Sequence, residues 1–294
     1  MVENNFTIKD LENLSGIKAH TIRIWEQRYS LIKPSRTDTN IRYYSNEELK
    51  KLLNIALLNK YGFKISHIDK MNDREMNDKI LTLNQAQAQQ ERVVNELIQH
   101  MVDLQIEKFG DVLNTYIASK GIERTIPQII FPFLEKIGIL WLTNHINPAQ
   151  EHLVSNIIRQ KIIVGIDSAS SPIQIDKKIV LFLPEGEYHE LGLLFMHFML
   201  KNRGIDTVYL GCSVPLKDLQ YVVESLNPDY LYTHLTTVSN NFNIDKYLTN
   251  FSKRINKVQT IISGQKIKGF SKSPSPTIQL KHSFSEVMDF ISSL

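Results

Sequence analysis

The chain has 294 residues, of which 42% are hydrophobic and 22% charged, and its formal net charge at pH 7 is +3. These proportions are typical of a globular protein, and the length predicts two or three domains. The single cysteine, Cys212, excludes an internal disulfide and a cysteine-rich zinc site. No apolar run reaches the ~18 residues of a membrane span, and the N-terminus lacks a signal-peptide pattern. We therefore expect a cytoplasmic protein with no membrane partner.

The positive charge is concentrated in the first quarter of the chain. Residues 1–70 hold 12 Lys and Arg against 8 Asp and Glu, a net charge of +4. The remaining residues hold 22 basic and 23 acidic side chains, a net charge of −1. A basic excess confined to one module favours nucleic-acid contact by that module.

Residues 6–70 predict short helices around a hairpin. Thr7 can cap a first helix that ends at Gly16, and "KAHTIRIWEQRYSL" predicts a second helix. The segment "IKPSRTDTNIRYYS" is rich in turn residues and has the pattern of a two-armed hairpin. Ser45 and Glu48 have capping-box spacing at the start of the next helix.

A helix followed by such a hairpin is typical of a winged helix-turn-helix. The helix can enter the major groove, while the wing reaches phosphate or the minor groove. We interpret Trp25 and Tyr29 as packing residues between the helix and the wing. On the two arms of the wing, Arg36 or Arg42 is placed to make that contact with DNA.

The middle of the chain predicts a helical bundle. Val94, Leu97, Met101 and Leu104 have the spacing of one helical face. Further helices follow, with Gly121 and Pro127 expected as breaks, and one helix extends from about residue 148 to 166. We predict a four-helix bundle in which most Met and aromatic side chains pack the core.

The last third of the chain alternates strands with helices. Apolar runs predict strands at 178–183, 206–210, 229–235 and 258–263. Amphipathic segments predict helices at 190–202, 215–226, 243–255 and 284–293. This alternation favours an open parallel sheet covered by helices.

Glu187 and His189 follow the first strand of this predicted sheet. In an extended segment residues two apart point to the same side, so the carboxylate can hold one ring nitrogen of His189. Open α/β sheets bind ligands at the carboxyl ends of their strands, which is where this pair lies. Gly192 would allow backbone or ligand to approach closely. Taken alone, a histidine here is more often an ordinary loop residue.

The N-terminal residues "IKDLENLSGIKAHTIRIWEQRYSLIKPSRTDTNIRYYS" resemble the MerR family of transcription regulators. The resemblance covers about 65 positions and includes the Arg-x-Trp-Glu core and the Arg-Tyr of the wing. It implies a double-stranded DNA operator as partner and a homo-oligomer, a dimer or a tetramer, as the active species. The resemblance also implies that the basic side chains of the helix and the wing contact DNA, namely Arg23, Arg28, Arg36 and Arg42. Arg23 and Tyr43 match positions that MerR-type proteins use against DNA.

The residues "EYHELG" resemble the cobalamin-binding signature Asp-x-His-x-x-Gly, with Glu in place of Asp. The resemblance implies a flavodoxin-like domain in which His189 is the lower axial ligand of cobalt. Thr233 and Leu235 match the Ser-x-Leu element, and Ser263 and Gly264 match the Gly-Gly element. In the family, small residues at these elements make room for the nucleotide tail of the cofactor, so Thr233 and Ser263 are expected to narrow that slot.

In the segment "WLTNHINPAQEH", nine residues separate Trp141 from the pair Glu151 and His152. This spacing resembles the cap over the upper face of adenosylcobalamin in light-sensing repressors of the CarH/LitR type. In those repressors a histidine follows the Trp directly and captures cobalt after photolysis. Leu142 stands at that position here and cannot bind a metal, while His145 lies one helical turn further on.

These patterns predict a regulator with three domains: a winged helix-turn-helix at 1–74, a capping bundle at 75–168 and an α/β cobalamin domain at 177–294. The predicted function is a repressor, not an enzyme, that is controlled by adenosylcobalamin and by light acting through it. Two alternatives stay open. The pocket could be degenerate and serve another ligand or protein, or the chain could be a corrinoid carrier.

Overall fold

A computed structural model describes residues 5–29, 31–142, 146–236, 243–270 and 275–294, and the side chains of residues 139–142 lie outside that description. The chain divides into two compact units, Met1–Ile158 and Arg159–Leu294. The first unit contains both the helix-turn-helix and most of the helical middle. The division into three domains therefore stays a prediction. Among the described residues, no helix has the length and apolarity needed to cross a membrane.

Helices make up most of the first unit, and one two-stranded hairpin lies among them. In chain order the elements are α1 (Ile8–Ser15), α2 (Ala19–Arg28), β1 (Ser35–Arg36), β2 (Arg42–Tyr43), α3 (Asn46–Lys60), α4 (Ile65–Ile68), α5 (Asp73–Leu81), α6 (Ala86–Val102), α7 (Ile106–Lys120), α8 (Ile122–Thr125), a π-helical turn (Ile126–Ile130), α9 (Phe131–Leu142) and α10 (Pro148–Ser168), which continues into the second unit.

Local capping explains how the N-terminal helices begin. Thr7 caps α1 with a reciprocal bond, because its side chain accepts from the Asp10 amide while the Asp10 carboxylate accepts from the Thr7 amide. The predicted capping box of α3 is only half formed. Ser45 caps the helix, but the Glu48 carboxylate accepts a hydrogen bond from the Lys33 amide instead.

Pro127 does not break the helical middle, contrary to the prediction. It lies in the first turn of the π-helical segment, and the chain continues directly into α9. Proline has no amide hydrogen, so it removes one hydrogen bond from a regular helix. The helix instead widens into a π-helical turn, in which the Phe131 amide donates to the Ile126 carbonyl, and the chain stays helical. Gly121, with φ of +76°, does end α7 as expected.

The second unit is an α/β domain. Its elements are β3 (Ile175–Pro184), α11 (Leu191–Lys201), β4 (Ile205–Val214), α12 (Leu216–Leu226), β5 (Tyr230–His234), α13 (Ile244–Arg254), β6 (Gln259–Ser263), a 3-10 turn (Gln265–Ile267), β7 (Ile278–Lys281) and α14 (Phe284–Ser292). The four predicted strands and four predicted helices are confirmed. β7 was not predicted, because its four residues alternate too briefly to be distinguished from a loop.

The described strands form one parallel sheet in the order β4-β3-β5-β6-β7. This is the flavodoxin-like order, in which the chain leaves β3 to one side and later returns to its other side. Residues 179–183 of β3 are fully buried, which accounts for the continuous apolar run at the centre of the sheet. The switch point lies between β3 and β5, and open α/β sheets bind ligands at the carboxyl ends of strands at such a point.

Candidate functional site

The loop after β3 holds Glu187 at the switch point of the sheet. The Glu187 amide donates to the Pro184 carbonyl at 2.9 Å, and the Glu187 carbonyl accepts from the Ser213 amide at 3.1 Å. The Gly186 amide also donates to the Ser213 hydroxyl at 3.2 Å. These bonds attach the loop to the end of β4, so its backbone position is set by two strands.

The Glu187 carboxylate holds the imidazole of His189. Its Oε1 atom accepts from the amides of Tyr188 and His189, both at 2.9 Å, and lies 2.6 Å from His189 Nδ1. Glu187 is fully buried, whereas the His189 side chain is 57% exposed. A proton on Nδ1 that is donated to a carboxylate places the ring's lone pair at Nε2. This is the arrangement found in metal-binding histidines.

Glu190, the next residue, lies at the centre of a polar cluster. Its carboxylate accepts from Arg159 Nε at 2.5 Å and from the Tyr209 hydroxyl at 2.8 Å. Burial raises the pKa of Glu190, but the hydrogen bonds from Arg159 and Tyr209 outweigh that effect and lower the pKa overall. The carboxylate is therefore charged at neutral pH. Burial, together with the charge of Glu190, raises the pKa of Cys212 to about 12, so the protein's one thiol stays protonated and unreactive.

Sequence reasoning missed this cluster. Arg159 comes from α10 and Tyr209 from β4, so the two side chains meet only in the tertiary structure. The position of Glu190 immediately after His189 was the one available signal. The cluster holds the start of α11 and so steadies the segment that carries His189.

The remaining residues that resemble the cobalamin signature lie at the carboxyl ends of the neighbouring strands β5 and β6, with Leu235 and Gly264 directly after them. The Leu235 amide donates to the Ser263 carbonyl at 2.8 Å. Gly264 has φ of +111°, and a Cβ at this position would lie 2.3 Å from the Leu235 carbonyl oxygen. Only glycine fits there, because any side chain would collide with the backbone. Thr233 is 1% exposed, and its hydroxyl has no hydrogen-bond partner among the described residues.

Gly192 is the second residue of α11 and is in close contact with His234. A Cβ at Gly192 would lie 2.6 Å from Cδ2 and 2.8 Å from Nε2 of that ring. The close approach predicted at Gly192 is therefore made by an imidazole of the chain itself. Sequence reasoning passed over His234, although it lies between Thr233 and Leu235, because the signature leaves this position unspecified.

Glu151 and His152 lie in the first turn of α10, within the first unit. The Ser155 hydroxyl donates to Glu151 Oε1 at 2.5 Å, and His152 Nδ1 lies 3.2 Å from Glu151 Oε2. The His152 side chain is 74% exposed. Trp141 and Leu142 are in α9, but their side chains lie outside the described residues, as does the whole of His145. The roles predicted for Trp141, Glu151 and His152 stay predictions.

The predicted DNA contacts lie on α2 and the wing. Arg23 and Arg28 are exposed on α2, and Arg36 is exposed on β1 of the wing. Strands β1 and β2 pair antiparallel, with Arg36 opposite Arg42. Tyr43, next to Arg42, is half-buried. The Arg36 guanidinium donates to the Asn40 side chain at 2.7 Å, which steadies the wing tip.

Arg42 differs from the other three arginines because it pairs with Glu26 of α2. Its Nε lies 3.4 Å from Glu26 Oε2, and its side chain is 37% exposed. The buried Tyr44 hydroxyl donates to the same carboxylate. Trp25 is 6% exposed and lies in the core. Glu26, which was not predicted, thus connects the helix to the wing.

Comparisons with known proteins identify two regions of the chain. Residues 6–75 match the family described as "MerR HTH family regulatory protein". Residues 93–164, in the helical middle, match the family described as "B12 binding domain". The second match includes Trp141, Glu151 and His152, but the comparison does not assign them a role.

Two curated relatives match most of the chain. The HTH-type transcriptional repressor CarH of Myxococcus xanthus is 27% identical over 237 residues, which is 79% of each chain. The repressor CarA of the same organism is 28% identical over 224 residues, which is 76% of this chain and 73% of that protein. The solved monomethylamine corrinoid protein of Methanosarcina barkeri has a TM-score of 0.51 at 11% identity, covering 69% of this chain and 99% of that one. That likeness shows a shared fold.

Proposed function

Because the chain joins a MerR-type helix-turn-helix to a B12-binding domain and is homologous to the repressors CarH and CarA, we propose that it is a repressor controlled by bound adenosylcobalamin. The corrinoid cofactor would act as a sensor. The chain is accordingly a regulator rather than an enzyme, as its named homologues are transcriptional repressors.

The observation that carries the cofactor proposal is the pair of Glu187 and His189. A buried carboxylate 2.6 Å from Nδ1 orients an exposed ring at the switch point of a parallel sheet. In the proposal, His189 would hold the cobalt through Nε2, and Glu187 would keep the ring in the tautomer that can do so. Bound adenosylcobalamin would supply the cobalt ion and a cobalt–carbon bond that visible light can break.

Other residues at this edge of the sheet support the fit to a corrinoid. The buried Thr233 hydroxyl, which has no partner among the described residues, is available to a polar ligand atom. Within the described part of the chain no three His, Cys, Asp or Glu side chains form a metal site. A cofactor that brings its metal in a macrocycle needs only one protein ligand, so a lone oriented histidine is sufficient.

The DNA-binding half of the proposal assigns α2 to the major groove and the wing to the backbone or minor groove. Arg23 and Arg28 would contact DNA from α2, and Arg36 would do so from the wing. Arg42 would contribute partly by holding the wing against Glu26. We propose a homo-oligomer as the binding species, since regulators of this kind read symmetric operators with paired half-sites.

Light is the signal that we propose for release of DNA. The proposal requires that the dark and illuminated forms favour different assemblies, because an effector shifts an equilibrium only by its differential affinity for two states. Leu142, at the position where light-sensing repressors have histidine, cannot bind a metal. His145 or His152 would therefore have to take the role of that histidine.

The decisive experiment is reconstitution in the dark with adenosylcobalamin, followed by desalting, absorption spectroscopy and size-exclusion chromatography before and after illumination. We expect retained colour, a light-dependent spectrum, a change of oligomeric state and loss of promoter retardation. The variant His189→Ala should lack the spectrum of histidine-ligated cobalt.

The outcomes separate the parts of the proposal. A colourless desalted protein contradicts cobalamin control altogether. Retained colour with no change of assembly after illumination would contradict only the light response. Cobalt-dependent methyl transfer to a partner protein, without promoter binding, would instead support a corrinoid carrier.

A further inference from the structure

The imidazole of His234 fills the space between the end of β6 and the start of α11. Its Nδ1 lies 2.8 Å from the Ser263 hydroxyl oxygen, and its Cδ2 and Nε2 face Gly192. The distances from the ring to a Cβ at Gly192, 2.6 and 2.8 Å, would be too short even for a methyl group. The ring therefore occupies this space completely on the Gly192 side.

The ring is held in place by a buried hydrogen-bonded chain. The Ser263 hydroxyl is bonded both to His234 Nδ1 and, at 2.5 Å, to the Tyr232 hydroxyl. Ser263 is 2% exposed and Tyr232 1% exposed, so neither hydroxyl has ready access to water as a replacement partner. Burial lowers the pKa of His234 to about 4, so the ring is neutral at physiological pH.

This space adjoins each part of the cobalamin signature in the second unit. His234 itself separates Thr233 from Leu235, it contacts Gly192 of the histidine motif, and it bonds Ser263 of the Gly-Gly element. Those are the elements whose small residues would make room for a nucleotide tail. Any group larger than the imidazole must displace it before entering here, because close-packed interiors have no spare volume.

We infer that His234 closes the nucleotide-tail slot and thereby determines which corrinoids bind with high affinity. This inference rests on the proposed cobalamin control. A corrinoid with a nucleotide tail must move the ring away from Ser263 and Gly192, and so loses part of its binding free energy. A corrinoid without the tail binds His189 and leaves His234 in place. His234 thus selects against corrinoids that carry the nucleotide tail.

The test compares two probes with the same upper ligand, adenosylcobalamin and adenosylcobinamide, of which the second lacks the nucleotide tail. Dissociation constants are measured in the dark by equilibrium dialysis with the full-length protein and His234→Gly. We expect the substitution to tighten adenosylcobalamin binding about tenfold, the order of one lost hydrogen bond. The adenosylcobinamide constant should change less than about twofold, a difference of under half a kcal/mol.

A second variant and a control guard against a trivial effect on folding. His234→Asn keeps a side chain that can bond Ser263 but is smaller, so it should shift the ratio of constants in the same direction by less. His197→Ala removes another half-buried imidazole of the same unit. The His197 ring stacks on Tyr209, with the two ring centroids 5.1 Å apart. This substitution should leave the ratio unchanged.

Two outcomes would overturn the inference while leaving cobalamin control intact. Equal shifts of both constants in His234→Gly would show that the ring does not discriminate by the tail. Selective weakening of adenosylcobalamin would show that His234 contacts the tail favourably. If the wild-type protein and all variants bind neither corrinoid, the proposed function itself fails, and this inference fails with it.

Discussion

At the scale of single residues, Glu187 sets the orientation of the His189 ring. One carboxylate oxygen accepts two backbone amides and faces Nδ1 of the ring, so the ring's orientation is linked to the loop backbone. The residue is fully buried. A carboxylate without water around it interacts strongly with its donors, so the charge of Glu187 holds the ring in place.

We expect Glu187→Gln to weaken adenosylcobalamin binding by about tenfold to a hundredfold, the usual cost of losing a residue that orients a metal-binding histidine. The substitution keeps the size of the side chain but removes the charge that favours a proton on Nδ1. Dark equilibrium dialysis measures the effect. Glu185→Gln, an exposed substitution two residues earlier, is the matched control and should be neutral. Unchanged affinity in Glu187→Gln would show that the carboxylate only folds the loop.

At the scale of elements, the wing depends on one carboxylate of α2. Glu26 pairs with Arg42 of β2 and accepts from the Tyr44 hydroxyl, so it fixes the wing against the helix that carries Arg23 and Arg28. Arg36, by contrast, projects from β1 with its main partner at the wing tip. The two wing arginines therefore differ in what their removal disturbs.

We expect both Arg36→Ala and Arg42→Ala to weaken promoter binding, but for different reasons. Arg36→Ala should reduce the slope of log affinity against log salt by about one phosphate contact. Arg42→Ala should weaken binding further, because it also leaves Glu26 without its cation and loosens the wing. Fluorescence anisotropy at several salt concentrations measures both. An unchanged slope and affinity in both variants would remove the wing from the DNA interface.

At the scale of the whole molecule, the helix-turn-helix and the helical middle share one compact unit. Asn46, at the start of α3, and Gln150, in the first turn of α10, both donate to the main-chain carbonyl of Val102 at the end of α6. Lys50 of α3 also pairs with Asp103, the residue that follows Val102. The end of α6 thus joins the DNA-binding module to the helix that carries Glu151 and His152.

Gln150→Ala should destabilise the first unit by about 1–3 kcal/mol, because buried carbonyls at the end of α6 lose a donor that water cannot replace. Gln150 is 2% exposed, and its amide donates to the carbonyls of Met101 and Val102. Urea unfolding followed by far-UV circular dichroism measures the change. Gln89→Ala, at an exposed position of α6, should have almost no effect. Equal stability of the two variants would contradict the buried role of Gln150.

Local sequence patterns are sufficient for the order of the elements, since apolar periodicity and capping residues act over a few positions. They predict the helix-turn-helix, the helical middle and the four longer strands of the sheet, together with the pairing of Glu187 with His189. Which distant side chains meet follows from the tertiary structure. Arg159 reaches Glu190 from α10, Glu26 reaches Arg42 across the wing, and His234 reaches Gly192 across the switch point. Such contacts depend on strand order and on packing between elements. Residue patterns within a single element do not specify either of these.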